Sequence, residues 1–259
     1  MNLAEKYQLD QPVIILGVHR SGTSMLTRMM EMLGLFVGHD LQGDHESKVV
    51  IAINNHYINK TDSSWDAPQY PGADDIGTNF VARAFDASFE GIKQEFGPMT
   101  GFWGLKDPRM VITLPLWLQI FENPKIIYIK RNPADIARSL SSRHQQLVKK
   151  GIFPATGDFT KGRIKFTQRC GSLEGALDFA QEQVAFVESM IADGMFSEHL
   201  EFEYDEMVQD PLLQLSRISQ YLGHDFSRAD LLKAAGVPRQ EQTAPPVDLI
   251  DQYFPNLKP

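Results

Sequence analysis

Residues 12–24, Pro-Val-Ile-Ile-Leu-Gly-Val-His-Arg-Ser-Gly-Thr-Ser, leave the chain few folds to adopt. The apolar run Val13 to Leu16 stops at Gly17. A polar turn then opens at Gly22 into a helical pattern to about 33, with Met25, Leu26, Met29, Met30 and Leu33 on one face and Gly34 at its end. Strand, tight turn and helix in succession aim the backbone N–H groups of a helix N-terminus at an anion, the arrangement that α/β proteins use for phosphate esters. Gly17 and Gly22 have the spacing of a nucleotide-binding loop, but Thr23 stands where a nucleoside triphosphatase carries lysine. The one cation of the loop is Arg20. The loop is therefore suited to a phosphate ester held in another manner than an ATPase holds it.

The same alternation continues along the chain. Residues 46–60 read as an amphipathic helix, 61–76 as loop and 78–96 as a helix with Phe80, Phe85, Phe89 and Phe96 toward the core. A short strand, Phe102 to Leu105, ends in Lys106-Asp107-Pro108-Arg109, and a helix over 111–121 follows. The strand Lys125 to Ile129 ends in Lys130-Arg131-Asn132-Pro133, where Pro133 suits the first turn of a helix to about 148. Residues 150–172 are Gly-rich, basic and weakly periodic, a long loop or lid. A helix over 173–191 (Leu173, Leu177, Ala180, Val184, Val187, Ile191) and a strand over 199–204 precede a helix from Asp210-Pro211 to Leu222-Gly223. The tail, 236–259, is irregular. Strands alternating with long helices predict an α/β fold, a parallel sheet covered by helices on both faces, in one domain spanning 1–259 with its core over about 12–223.

Composition narrows the partners. A formal net charge of −8 disfavours nucleic acid, so an anion site must be a local basic pocket. The single cysteine, Cys170, excludes an internal disulfide and a cysteine-rich zinc site. No apolar run approaches the ~20 residues of a membrane helix, and the first residues lack a signal-peptide core, so a cytoplasmic protein without an integral membrane segment is expected. Oligomeric state is not legible.

Three strands end in a turn bearing a cation, at Arg20, Lys106 and Arg131, and in a parallel sheet ligands bind beyond those strand ends. An NTPase needs a carboxylate for Mg²⁺ at such a strand end, whereas here the second strongly apolar strand ends in Lys130-Arg131. With Ser139 and Arg143 on the helix that follows, this is a second anion site. A ligand with two separated phosphates accounts for both sites better than a triphosphate does.

Val-Ile-Ile-Leu-Gly-Val-His-Arg-Ser-Gly-Thr-Ser, Gly-Leu-Lys-Asp-Pro-Arg and Ile-Ile-Tyr-Ile-Lys-Arg-Asn-Pro-Ala-Asp-Ile-Ala-Arg-Ser-Leu, in that order, resemble the successive motifs of sulfotransferases that use 3′-phosphoadenosine 5′-phosphosulfate (PAPS). The likeness is to the bacterial-type branch with an Arg-Ser-Gly-Thr loop, and Phe-Glu-Tyr-Asp-Glu-Met-Val-Gln-Asp-Pro (202–211) also matches a segment common in that family. The resemblance implies a P-loop-like sulfotransferase fold and PAPS as donor co-substrate, with no metal. It implies that His19, Arg20, Ser21, Gly22, Thr23 and Ser24 hold the 5′-phosphosulfate and that Arg131 and Ser139 hold the 3′-phosphate. Arginine forks match phosphate oxygens independently of any family.

The reaction implied is in-line sulfuryl transfer to an acceptor hydroxyl on a sugar, lipid or other small molecule, with Arg20 taking the charge that builds on the leaving phosphate. For the base, family alignment points to Glu46, while His45 has the better intrinsic pKa. Glu46 reads equally as a carboxylate at a helix N-terminus, and His45 as a plain loop histidine. Lys106, Asp107 and Arg109 border the donor or acceptor pocket by the same resemblance, and Asp107 equally suits an ion pair with Arg20 or Lys106. Trp65 and Trp103 are candidates to stack on acceptor or adenine, or core residues. The family's adenine loop is not visible; Arg163, Lys165 and Arg239 are the available substitutes. Two other readings remain open at this stage: a non-catalytic member of the fold that binds a nucleotide or a partner, and a P-loop small-molecule kinase.

Overall fold

The computed structural model describes residues 3–72, 80–161, 164–196 and 198–238. In chain order, the first half comprises α1 (Leu3–Tyr7), β1 (Val13–Leu16), α2 (Thr23–Met32), β2 (Leu41–Gln42), β3 (Glu46–Ser47), α3 (Lys48–Lys60), α4 (Phe80–Ala87), α5 (Phe89–Phe96) and β4 (Gly104–Lys106). Then come α6 (Met110–Trp117), β5 (Lys125–Lys130), α7 (Pro133–Lys149), β6 (Phe159–Lys161), β7 (Ile164–Phe166) and α8 (Leu173–Ala192). The described chain closes with β8 (His199–Glu203), α9 (Tyr204–Gln209), α10 (Pro211–Leu222) and α11 (Arg228–Ala235).

Strands β4-β1-β5-β8, in that order and all parallel, form the central sheet. The period of two sorts their side chains onto two cores. Ile14, Leu16, Ile126 and Tyr128 face a layer built on α3, α4, α6, α7 and α8, whereas Val13, Ile15, Ile127 and Ile129 face α2, α10 and α11. All four residues of β1 are buried, as expected of a strand covered on both sides. The predicted α/β sandwich is the observed one.

Several local expectations are corrected. Glu46 lies on β3, paired with β2 through Gln42, and the helix begins only at Lys48, so Glu46 is not a first-turn carboxylate. The helix expected over 78–96 is two helices that meet at Ser88. The stretch 150–172 contains the antiparallel hairpin β6–β7 and a short 3₁₀ turn, Arg169–Gly171. Leu173, expected in the core, is 55% exposed. Helices α9 and α11 were not anticipated. Of the tail, only residues up to 238 are described; Arg163 and Arg239 also lie outside the described residues.

The turn after β4 is fixed from below by a polar side chain in the apolar layer. Asn54 of α3, fully buried, donates from Nδ2 to Asp107 Oδ2 (2.8 Å) and accepts on Oδ1 from Thr113 Oγ1 and Trp117 Nε1 of α6 (both 2.8 Å). Its hydrogen-bonding capacity joins α3, α6 and the strand-end turn in one network. Removing it strands a buried indole N–H and a carboxylate oxygen, each costing ~1–3 kcal/mol. Asn54→Ala should therefore lower the free energy of unfolding by about 3 kcal/mol. In urea this appears as a lower midpoint at unchanged slope; a midpoint within error of wild type would show that the network carries no stability.

Candidate active site

The loop between β1 and α2 is shaped by steric limits that the sequence meets with glycine. A Cβ on Gly17 would stand 2.5 Å from Ser21 Oγ and 2.9 Å from the backbone oxygen of Ile129, so the loop lies directly against β5. Gly22 has φ +103° and a Cβ there would fall 2.4 Å from Cδ2 of Tyr204. Arg20, with φ +71°, adopts the left-handed conformation that turns its side chain out of the loop. Ser21 Oγ is buried with no hydrogen-bond partner among the described residues. Thr23 and Ser24 form the first turn of α2, whose N–H groups have no partner within the helix. A buried hydroxyl without a partner beside open N–H groups is a cradle for an anion.

Residues expected from sequence to serve two anion sites contact one another. Arg20 donates from Nε to Ser139 Oγ of α7 (2.9 Å), and Arg131 donates from Nη1 to the backbone oxygen of Arg20 (3.0 Å). The Arg131 guanidinium lies 4.4 Å above the ring of Tyr204, which also packs beside Gly22 and against the core below the loop. Tyr204 thus supports both the loop and its neighbouring cation, a role sequence reasoning missed although Tyr204 stood in a quoted motif. Burial and the neighbouring Arg143 and Arg131 push the Arg20 pKa down, opposed by Asp44.

Lys106 reaches across from β4 and is fully engaged, donating to Glu46 Oε1 (2.8 Å), Ser24 Oγ (3.0 Å) and the backbone oxygen of Asp44 (2.7 Å). Glu46 Oε2 accepts from Gln42 and lies 3.7 Å from Arg109 Nη1. Burial, then Asp107, raise the Glu46 pKa, while Lys106 and Arg109 oppose the rise. Asp107 pairs with Arg109 (2.8 Å) and Asn54, instead of Arg20 or Lys106. His45, with φ +60°, directs Nδ1 to within 2.5 Å of Glu31 Oε2 on α2.

A cavity of about 610 Å³ opens beside the loop, lined at one end by His19, Arg20, Glu46 and Arg109 and farther on by α7 and the β6–β7 hairpin. Its lining includes Glu46 and omits His45. Burial and the charges of Arg109, Lys106, Arg143 and Arg20 hold the His19 imidazole well below its usual pKa, and its Nε2 is buried with no partner among the described residues. Trp65 lines this cavity, with its ring edge-on to His19 at 4.8 Å, whereas Trp103 is core and donates to the backbone oxygen of Asp10.

Gly34, at the end of α2, also has positive φ (+92°), but a Cβ there meets nothing within 4 Å. Gly34→Ala should lose only the conformational term, roughly 1–2 kcal/mol. Gly22→Ala should lose that and also displace Tyr204, so its thermal midpoint should fall further; equal losses would mean that Tyr204 moves aside without cost.

The model of the sulfotransferase family matches residues 12–228. No curated protein matches the chain. Among solved structures, the sulfotransferase domain from the curacin biosynthetic pathway is 14% identical with a TM-score of 0.52, covering 96% of this chain and 92% of that one. A sulfotransferase of Alicyclobacillus acidocaldarius is 16% identical (TM-score 0.50; 95% and 93% covered), and one of Mycobacterium avium is 13% identical (TM-score 0.52; 96% and 78% covered). At these identities the structures speak for the fold. With strand-end motifs, parallel sheet and family match in agreement, the chain belongs to the sulfotransferase family.

Proposed function

We propose that the protein is a PAPS-dependent sulfotransferase of the bacterial-type branch, acting as one cytoplasmic domain on an acceptor hydroxyl. The observation that carries this reading is the convergence of Arg20, Arg131 and Ser139 on a loop at a helix N-terminus whose buried Ser21 hydroxyl has no partner among the described residues. The donor set suits a 3′,5′-bisphosphorylated nucleotide: the 19–24 loop for the 5′-phosphosulfate, and Arg131 with Ser139 for the 3′-phosphate. When bound, the donor supplies the sulfuryl group. The acceptor oxygen–sulfur bond forms, the bond between sulfur and the 5′-phosphate oxygen breaks, and the acceptor gives up its proton.

Arg20 stabilises the charge on the departing phosphate, a contact of a kind typically worth ~3–4 kcal/mol in the transition state. Glu46 is the receiver of the acceptor proton, since of the two sequence candidates it lines the cavity while His45 turns to Glu31. A second receiver is favoured by one observation: His19, a lining residue held neutral by burial and the surrounding cations, keeps a buried Nε2 with no partner among the described residues. Lys106, Asp107 and Arg109 then act as the frame that holds Glu46 in place.

Adenosine 3′,5′-bisphosphate at 100 times its dissociation constant should stabilise the protein by about 2.7 kcal/mol, read as a thermal shift, where ATP with Mg²⁺ gives less. Arg131→Ala should weaken that binding about 10- to 100-fold. No shift with the bisphosphate would defeat the donor assignment, and a larger one with ATP would restore a kinase reading. Arg20→Ala should lower kcat by about 10²–10³ with a smaller loss of binding. Bisphosphate binding without sulfate transfer to any acceptor would identify a non-catalytic member of the fold.

The ionised carboxylate is the active form of Glu46, and burial raises its pKa. Activity should therefore rise with pH through a carboxyl pKa above the ordinary range and be lost below it. Glu46→Gln should abolish that limb; a limb that survives the substitution assigns the proton to His19.

A further inference from the structure

Building on the sulfotransferase reading, we propose that the acceptor is a small amphipathic alcohol, an alkyl or aryl body with one hydroxyl, and that the β6–β7 hairpin forms its specificity wall. The 610 Å³ cavity has two unlike ends. Around the loop it is ionic, with Arg20, Glu46 and Arg109. Away from the loop its wall is Leu140 and Leu147 of α7, Ile152 and Phe153 of the connection, and Ile164 and Phe166 of β7. A volume of that size fits a ligand of drug-like dimensions, and apolar lining with a few convergent polar groups fixes orientation. The reacting hydroxyl belongs at the ionic end and the apolar body along the hairpin.

That wall is built in advance. Asp66, almost wholly buried, accepts from Ser64 Oγ (2.7 Å), Thr167 N (3.1 Å) and Thr167 Oγ1 (3.0 Å), which clamps the end of the hairpin to the segment carrying Trp65. Phe159 and Phe166 stack at 4.9 Å, with Phe153 tilted against both and Trp65 edge-on to Phe166. Against this ordered cluster, Ile152 remains 45% exposed while lining the cavity, an aliphatic side chain left in water on its far wall. An apolar ligand removes that exposure.

A sugar suits the far end poorly. His144 Nε2 is already 3.0 Å from Gln168 Oε1, and burial pushes the Cys170 thiol up to about 12, keeping it protonated. Hydroxyls placed against the aromatic cluster would lose water without gaining partners, which costs more than the burial returns. Two further lining residues, Arg143 and Lys161, are charged and exposed to solvent.

Bisphosphate-loaded protein titrated calorimetrically with 1-butanol, 1-hexanol and 1-octanol, and with methyl glucoside, tests the assignment. Affinity should rise about fourfold per methylene, which corresponds to ~0.8 kcal/mol, and methyl glucoside should bind more weakly than butanol. Ile152→Glu alters an exposed side chain, so the fold is expected to persist, as the bisphosphate thermal shift verifies; octanol affinity should fall at least fivefold. A flat alkyl series, tighter binding of the glucoside, or octanol affinity untouched by Ile152→Glu would each overturn the acceptor class while leaving the donor assignment standing. Absence of the bisphosphate shift overturns the donor assignment, and this inference with it.

Discussion

The site depends on one buried ion pair. Lys106 has no exposed side-chain surface and Glu46 only 5%, and their contact at 2.8 Å joins the end of β4 to the β2–β3 ribbon. Taking both charges out of water is expensive, and the pair repays that cost only when its remaining hydrogen-bonding capacity is filled. For Lys106 it is, since the ammonium also donates to Ser24 Oγ and the backbone oxygen of Asp44; Glu46 accepts from Lys106 and Gln42 and keeps lone pairs to spare. One ammonium therefore fixes the first turn of α2, the turn before Glu46 and the carboxylate itself. Breaking such a pair from one side typically costs ~3–5 kcal/mol because the other charge is left buried alone.

Helix α7 couples the two halves of the site through its period. Asn132 accepts from Ala134 N at its N-cap and Pro133 sets its first turn, which fixes where the helix begins relative to β5. From that start, Ser139 reaches Arg20, and Leu140, Arg143, His144 and Leu147 follow at intervals of three and four along the cavity. A one-residue shift in the start of this helix would withdraw Ser139 from Arg20 and the leucines from the wall together. The Ser139–Arg20 contact and the helix's share of the cavity wall are thus set by a single local start signal, Asn132-Pro133.

What could be read from sequence was whatever the chain states locally. Gly17, Gly22, the apolar strands and the cations after them declare themselves by spacing, and the sheet with its three basic strand ends followed. Long-range partners were not legible. Glu46 could be assigned to a helix or to a base, but nothing near it announces Lys106, sixty residues away, as its counter-ion. Asn54 sits in an ordinary amphipathic pattern, and its network with Asp107, Thr113 and Trp117 exists only after α3 and α6 pack. The hairpin was obscured because Phe159, Phe166 and Phe153 are interrupted by glycine and lysine, so neither a period of two nor one of 3.6 emerges; the stacking that orders them is tertiary.

The net charge of −8 and a basic crevice are reconciled by where the repulsion is concentrated. Burial, and then the neighbouring Arg143 and Arg131, depress the pKa of Arg20, and the compensating carboxylate, Asp44, stands 3.6 Å from Arg143. Glu46 and Asp107 offer no relief, since Lys106 and Arg109 already engage them. The arginine cluster is therefore held in a state of like-charge strain by the fold around it. An anion placed among these arginines would lower that repulsion, so the fold concentrates positive potential here although the chain as a whole is acidic.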